Sequence, residues 1–134
     1  VAVEDRSWKG LGNCGMTEPP SLQFYSAMLR RMAVSGCGRV IFARHEGNDI
    51  GFIFGGLCGP EPQGNIYRGQ QFSFTEEWRA ASLGNVLQLE QLKWLCDEGV
   101  GRYDMGPAMD YKHHWTESQA RIDSIVLRPK SSKK

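Results

Sequence analysis

Between Leu22 and Ser35 apolar residues return every three or four positions: Leu22, Tyr25, Met28 or Leu29, Met32 and Ala33. That spacing lays one apolar stripe along a helix. Thr17-Glu-Pro-Pro-Ser21 reads as its start, since proline is tolerated in a first turn. Arg30 and Arg31 suit the negative end of the helix dipole, and Gly36 and Gly38 stop it. The period then changes. Arg39–Arg44 is apolar and rich in strand formers, Glu46–Asp49 is a turn, and Ile50–Cys58 returns antiparallel as the second arm of a hairpin. Gly51, Gly55 and Gly56 lie inside that arm, where glycine often marks a bulge or a close approach. Gly59–Gly64 turns the chain again into a third strand, Asn65–Phe74.

Thr75–Ser82 is polar around Trp78. A second helix opens at Leu83-Gly-Asn-Val-Leu87 and runs through Leu89, Leu92, Trp94 and Leu95 to Gly99, with Leu92 and Cys96 expected on the face of Leu89. Val100–Gly106 predicts a short buried strand, Asp110–Trp115 a helical turn, and Ile122–Arg128 a last strand. A helix between two strands permits parallel pairing. The predicted fold is therefore α/β, of the α+β type: a mixed, mostly antiparallel sheet flanked by helices. Ahead of it, Glu4–Gly15 carries Gly10, Gly12 and Gly15, too many glycines for a helix, and reads as a loop anchored by Trp8.

Composition narrows the class. The 134 residues fit one domain able to bury a core. The formal net charge of +1 gives no global attraction to nucleic acid or membrane. No apolar run approaches the roughly 18 residues of a membrane span, and the first residues lack the order of a signal peptide. The missing initial Met suggests a piece of a longer protein. Cys14, Cys37, Cys58 and Cys96 form no Cys-x-x-Cys pair and read as buried thiols of a cytoplasmic domain. Pro129–Lys134 reads as a solvated basic tail.

One stretch concentrates chemistry. The strand ending at Gly106 is followed by Asp110-Tyr-Lys-His-His-Trp115: an acid, a phenol, a lysine, two imidazoles and an indole. A strand that stops and then presents polar groups is the usual layout of a ligand site in an open α/β sheet. His113 and His114 are adjacent, so a helix points them apart, and no metal-ligand spacing is present. Ser82, Leu83, Gly84, Asn85 and Val86 begin the second helix, where backbone N–H groups and the dipole favour an anion. An ordinary capped helix start fits the same residues. Trp8, Trp78 and Trp115 read as core packing rather than stacking platforms.

The element order resembles that of the GNAT N-acetyltransferase superfamily, and more narrowly the C-terminal half of its FemAB-like, CelD-type branch. The resemblance runs from about Glu4 to Leu127. It is carried by Ser7-Trp-Lys-Gly10, Phe24-Tyr25, Leu29-Arg30, Phe42-Ala-Arg44, Ser82-Leu-Gly-Asn-Val-Leu87, Asp104-Met-Gly106, Tyr111-Lys112 and Trp115. It divides the chain into a leading loop over 1–19, a GNAT-like acyltransferase domain over 20–128, and a disordered basic tail over 129–134. It implies a bacterial enzyme moving an acyl group from acetyl-CoA or another acyl-CoA to a small-molecule or peptide-like amine, without a metal. A second GNAT-like half, or another copy of the chain, would complete the unit.

The resemblance also implies roles. Ser82–Val86 would cradle the coenzyme A pyrophosphate. A backbone amide near Gly69, where the third strand and the Val100–Gly106 strand splay apart, would take the oxyanion, though a glycine easing strand twist fits as well. Lys112 would be the first candidate for catalysis or substrate binding. Tyr111 would be the second, as the acid for the leaving thiolate, or else a packed aromatic. Asp104 would orient its neighbours more than act as a base. Two alternatives share the fold: an aminoacyl-tRNA-dependent transferase acting on a cell-wall precursor, and a binding domain that has lost its chemistry. The near-neutral charge argues against tRNA, which normally meets a basic face.

Overall fold

The computed structural model describes residues 2–12, 15–59 and 66–128. Two short helices, α1 (Ala2–Asp5) and α2 (Trp8–Leu11), precede a long one, α3 (Ser21–Ser35). Strands β1 (Gly38–His45), β2 (Asn48–Cys58) and β3 (Ile66–Phe74) follow, then helix α4 (Leu83–Asp97) and strand β4 (Arg102–Asp104). The sheet order is β1-β2-β3-β4. The first two pairings are antiparallel and the third, across α4, is parallel. This is the predicted mixed, mostly antiparallel sheet with flanking helices. The β1–β2 turn closes on Glu46-Gly47, both at positive φ (49° and 79°), the geometry that two-residue hairpin loops favour.

Each face of the sheet carries its own core. Ile50, Ile53, Leu83 and Leu87 pack on the α4 side with Phe72, Phe74 and Trp78 around them. Val3, Phe52 and Phe54 pack on the other side with Tyr25, Met28 and Leu29 of α3. The β1–β2 register skips Ile50: Ala43 faces Gly51 and Arg44 faces Asp49. A one-residue irregularity re-aims a side chain, which is how Ile50 joins Ile53 on one face.

Five expectations are corrected. Glu4–Gly15 is not a loop hung on Trp8. Ser7 caps α2, its Oγ accepting from the Gly10 N–H at 3.3 Å. A Cβ at Gly10 would strike the Glu4 carbonyl, so this glycine permits close packing of the two short helices rather than breaking one. Trp8 is 48% exposed, while Val3, Glu4 and Ser7 are buried. In α4 the buried face is Leu83, Leu87, Gln88, Gln91 and Leu95, leaving Leu89 and Cys96 exposed. Two glutamines replace apolar residues there because tyrosines meet them. Tyr67, wholly buried, donates to Gln91 Oε1 at 3.2 Å, and Tyr103 donates to Gln88 Oε1 at 3.4 Å.

Ile122–Arg128 forms no strand with any described residue, and Ile122, Ile125, Val126 and Leu127 are exposed. A strand-forming sequence still needs a partner edge, and no described strand lies beside it. The Val100–Gly106 strand shrinks to three residues, partly rather than fully buried. Cys58 and Cys96 are exposed and Cys37 only half-buried, so those thiols are not core. Cys14, the start of the third strand at Asn65, most of the Gly59–Gly64 turn and the Pro129–Lys134 tail lie outside the described residues. Among the described residues, no helix is long and apolar enough to cross a membrane.

Gly55 tests this packing. A Cβ there would sit 2.5 Å from the Tyr67 hydroxyl oxygen and strike the Arg68 carbonyl. Gly55→Ala is expected to destabilise the fold by about 1–3 kcal/mol, the usual cost of overpacking. Urea unfolding reads this directly, and an unchanged midpoint would show that the β2–β3 contact is loose.

Candidate active site

The site grows from an interruption in the sheet. β4 pairs with β3 only from Ile66 opposite Arg102 to Arg68 opposite Asp104, whereas β3 continues to Phe74. Beyond Arg68 the β4-side edge of β3 therefore has no described strand beside it. At that vertex β3 also bulges. Gln71 faces Phe54 and Gly69 faces Gly55, leaving Gln70 as the extra residue. Gly69, the expected position of an irregularity, borders it. Its missing side chain makes room for Tyr103, since a Cβ would lie 2.9 Å from the Tyr103 ring.

The tip of α4 lies over the uncovered half of β3. Ser82 precedes α4 at φ 53° and makes no side-chain cap. Its carbonyl takes the Asn85 N–H at 2.9 Å and the Val86 N–H at 3.2 Å. The N–H groups of Leu83 and Gly84 donate to no described residue. Serine is a good N-cap residue, so the left-handed turn is what keeps these amides open. Left-handed backbone is glycine's usual territory; the turn holds that shape with serine in place. A Cβ at Gly84 would lie 2.9 Å from the Phe74 ring and 3.2 Å from that of Phe72, so this glycine also brings the helix tip onto the strand.

The segment after β4 folds back over the same strand. In the 3-10 turn Asp110–His114, Tyr111 sets its ring edge-on to Phe72, with centroids 5.8 Å apart. Phe72 thus touches both Tyr111 and the tip of α4. Tyr111 is 38% exposed, and its hydroxyl bonds to no described residue. Burial raises its pKa, which keeps the phenol protonated at neutral pH.

Lys112 faces inward. It is 9% exposed, and its ammonium donates to the carbonyls of Met105 and Pro107, each at 2.7 Å. Burial lowers its pKa, Arg68 lowers it further, and Asp104 opposes both. This lysine ties the β4 exit to the 3-10 turn. Asp104 accepts from Arg68 Nη1 at 2.6 Å and from the Gly106 N–H at 2.8 Å. Burial alone would raise its pKa, but the Gly106 and Arg68 bonds and the charges of Arg68 and Arg102 bring it below the ordinary value.

The structure thus brings Gly69, Gly84, Tyr111, Lys112 and Asp104 around one half-covered strand. Three contributors escaped the sequence. Arg68 was signalled only by a charge inside a strand, and Tyr103 by its place in Arg-Tyr-Asp. Lys9 arrives from α2, with Nζ 2.8 Å from the Phe72 carbonyl, 3.0 Å from Gln71 Oε1 and 5.6 Å from the Phe72 ring centroid. Nothing local in sequence announces a contact across sixty positions. Among the described residues, no three His, Cys, Asp or Glu side chains gather as a metal site. His113 faces Gln119 at 3.0 Å. Of the tryptophans, Trp78 borders the α4-side core and Trp115 is half-buried.

Asp104 gives a pH test. Its folded pKa is depressed, so its contribution is complete above the ordinary value of 3.8 and is lost as pH falls through the folded value. Asp104→Asn should destabilise at pH 7, and its deficit against wild type should shrink below pH 3.8. Urea midpoints across that range check this. A deficit independent of pH would mean that charge is not the cause.

Comparison with known proteins fits this geometry. AAC(6')-Iy, solved with the bisubstrate analogue CoA-S-monomethyl-acetylneamine, superposes with a TM-score of 0.62 at 14% identity, over 96% of this chain and 88% of that one. An acetyltransferase of Trypanosoma brucei gives 0.58 at 14%, over 75% and 77%. The aminoglycoside antibiotic 6'-N-acetyltransferase of Acinetobacter haemolyticus gives 0.56 at 8%, over 98% and 90%. At such identities the likeness is one of fold. No curated protein sequence matches the chain. The family model described as "Acetyltransferase (GNAT) domain" matches residues 2–113. With well over half of its length matched, and its sheet opening beside a helix tip, this chain belongs to the GNAT acetyltransferase domain family.

Proposed function

We propose that this domain transfers an acyl group from acyl-CoA to a primary amine. The observation that carries the reading is the uncovered half of β3, on which the α4 tip with its open amides and the ring of Tyr111 both rest. The Leu83 and Gly84 N–H groups suit a pyrophosphate at a helix N-terminus. From Phe74 back to Gly69 the strand spans about 17 Å, the scale of an extended pantetheine arm. A donor anchored at Gly84 would put its thioester near the Gln70 bulge. There a backbone N–H would stabilise the oxyanion as the amine nitrogen attacks the carbonyl carbon. As the C–S bond breaks, Tyr111 would give its proton to the sulfur, and the tyrosinate would take the proton shed by the amine. The bisubstrate analogue bound by AAC(6')-Iy supports acyl-CoA as the donor class.

In this reading Tyr111 does the proton transfer, and Lys112 positions it by fixing the turn. Tyr111-Lys112, Trp115 and Asp104-Met-Gly106 support the FemAB-like, CelD-type branch. Within that branch the net charge of +1 favours acyl-CoA over aminoacyl-tRNA. Acyl-CoA is an intracellular donor, which supports a cytoplasmic setting.

Calorimetry of the intact protein with acetyl-CoA should give saturable binding, and no heat at millimolar ligand would sink the reading. Tyr111→Phe should lower kcat about 100-fold with little change in KM for acetyl-CoA. Lys112→Ala should lower turnover and thermal stability together, because it removes the two hydrogen bonds that hold the turn to the β4 exit. Lost turnover at unchanged Tm would instead put Lys112 in the chemistry.

A further inference from the structure

The face of the sheet turned away from α4 carries a charge arrangement that the transfer chemistry leaves unused. Tyr67 points to Gln91 on α4, so the next residue, Arg68, projects to the opposite face. It does so at the vertex where β3 and β4 part. Its Nη1 is held by Asp104, and its guanidinium lies against Gly106, with Nη2 3.3 Å from where a Cβ would stand. No described residue accepts a hydrogen bond from Nη2 or Nε. The side chain keeps 38% of its surface exposed.

The balance around that fork is cationic. Arg68 and Asp104 are charges that act on Lys112, and Arg102 acts on Asp104 beside Arg68. Arg68 and Arg102 thus act together on Asp104, and Lys112 feels Arg68 and Asp104. Lys112 spends its donors on two backbone carbonyls, so its charge has no anion bonded to it. Partial burial strengthens that field, which Asp104 opposes without a direct bond. A planar guanidinium with two free donors is the group that binds carboxylate or phosphate oxygens in parallel.

We propose that the acceptor amine carries an anionic group, carboxylate or phosphate, seated on the free edge of Arg68 while its nitrogen reaches the thioester at the Gln70 bulge. This rests on the acyl-transfer reading for the amine, but the anion site itself does not need it. Such a vertex disfavours polycationic amines.

Two measurements on the intact protein separate the two ideas. The first needs no acyl-CoA: the Nε–Hε NMR signal of Arg68, assigned by its loss in Arg68→Gln, is followed during titration with succinate or inorganic phosphate. A saturable shift beyond that caused by sodium chloride is expected; a shift no larger than with chloride overturns the anion site. The second follows thiol release from acetyl-CoA with β-alanine, phosphoethanolamine, ethanolamine and spermidine. The kcat/KM of β-alanine or phosphoethanolamine should exceed that of ethanolamine at least tenfold, and the larger ratio identifies carboxylate or phosphate. Arg68→Gln should bring the ratio near one, and Arg68→Lys, which keeps the charge but loses the fork, should give an intermediate ratio. If Arg68→Gln does not fold, Arg68→Lys decides alone, and an undiminished ratio overturns the proposal. Ethanolamine or spermidine as the best substrate would overturn it while leaving acyl transfer intact. No turnover with any amine would count against acyl transfer, and the NMR titration would still decide the anion site.

Discussion

The structure depends on where β4 lets go of β3. Three parallel pairs join the strands, and then Gly106, at φ 81°, turns the chain away. Two side chains fix that exit. Asp104 binds Arg68 across the strands and the Gly106 amide along its own, and Lys112 reaches back to the carbonyls on either side of Gly106. Met105 is half-buried and Pro107 exposed, and no described strand supplies donors to their carbonyls beyond Asp104. A lysine from the following turn does so instead. The ammonium that closes the turn therefore also holds the sheet open.

A polar ladder backs this opening from beneath. Tyr67 and Tyr103 stand side by side, with ring centroids 4.9 Å apart, each donating to a glutamine of α4. Burial, with the neighbouring Tyr103, drives the Tyr67 pKa far up despite the opposing charge of Arg39, so its proton is locked in place. The arrangement costs something: the Nε2 atoms of Gln88 and Gln91 are buried without partners, at about 1–3 kcal/mol for such a group. In exchange, two rings are set in one orientation, and Tyr103 fills the space that Gly69 leaves beside the bulge. An apolar interface would pack as tightly but would fix the rings less specifically, since hydrogen bonds are directional and dispersion is not.

The two faces of the sheet divide the work. On the α4 side, aromatic residues of β3 carry the helix tip and Tyr111, an apolar bed with open amides at its end. On the α3 side the same strand presents Arg68 and Gln71, with Tyr25 and Lys9 meeting Gln71. Alternation along one strand thus gives an apolar wall to one side and a polar floor to the other. The bulge at Gln70 is the point where both can be reached.

How much of this was legible differs from residue to residue. The long helices, the hairpin and the parallel return through α4 followed from periodicity and glycine stops, because those signals come from neighbours in the chain. Tyr111, Lys112 and Asp104 could be singled out for the same reason, as chemistry clustered beside a strand end, and Gly84 as part of a helix start. What sequence could not reach was direction. Whether Lys112 pointed to solvent or into the turn depended on carbonyls left bare by a strand that stops early. Whether α4 buried Leu89 or Gln91 depended on tyrosines supplied by two other strands. Whether Ile122–Arg128 became a strand depended on an edge to pair with. Local spacing determined the two long helices, the hairpin and which residues carry chemistry; the sheet's register decided which further segments become strands and what those residues face, because pairing partners and buried neighbours come from distant parts of the chain.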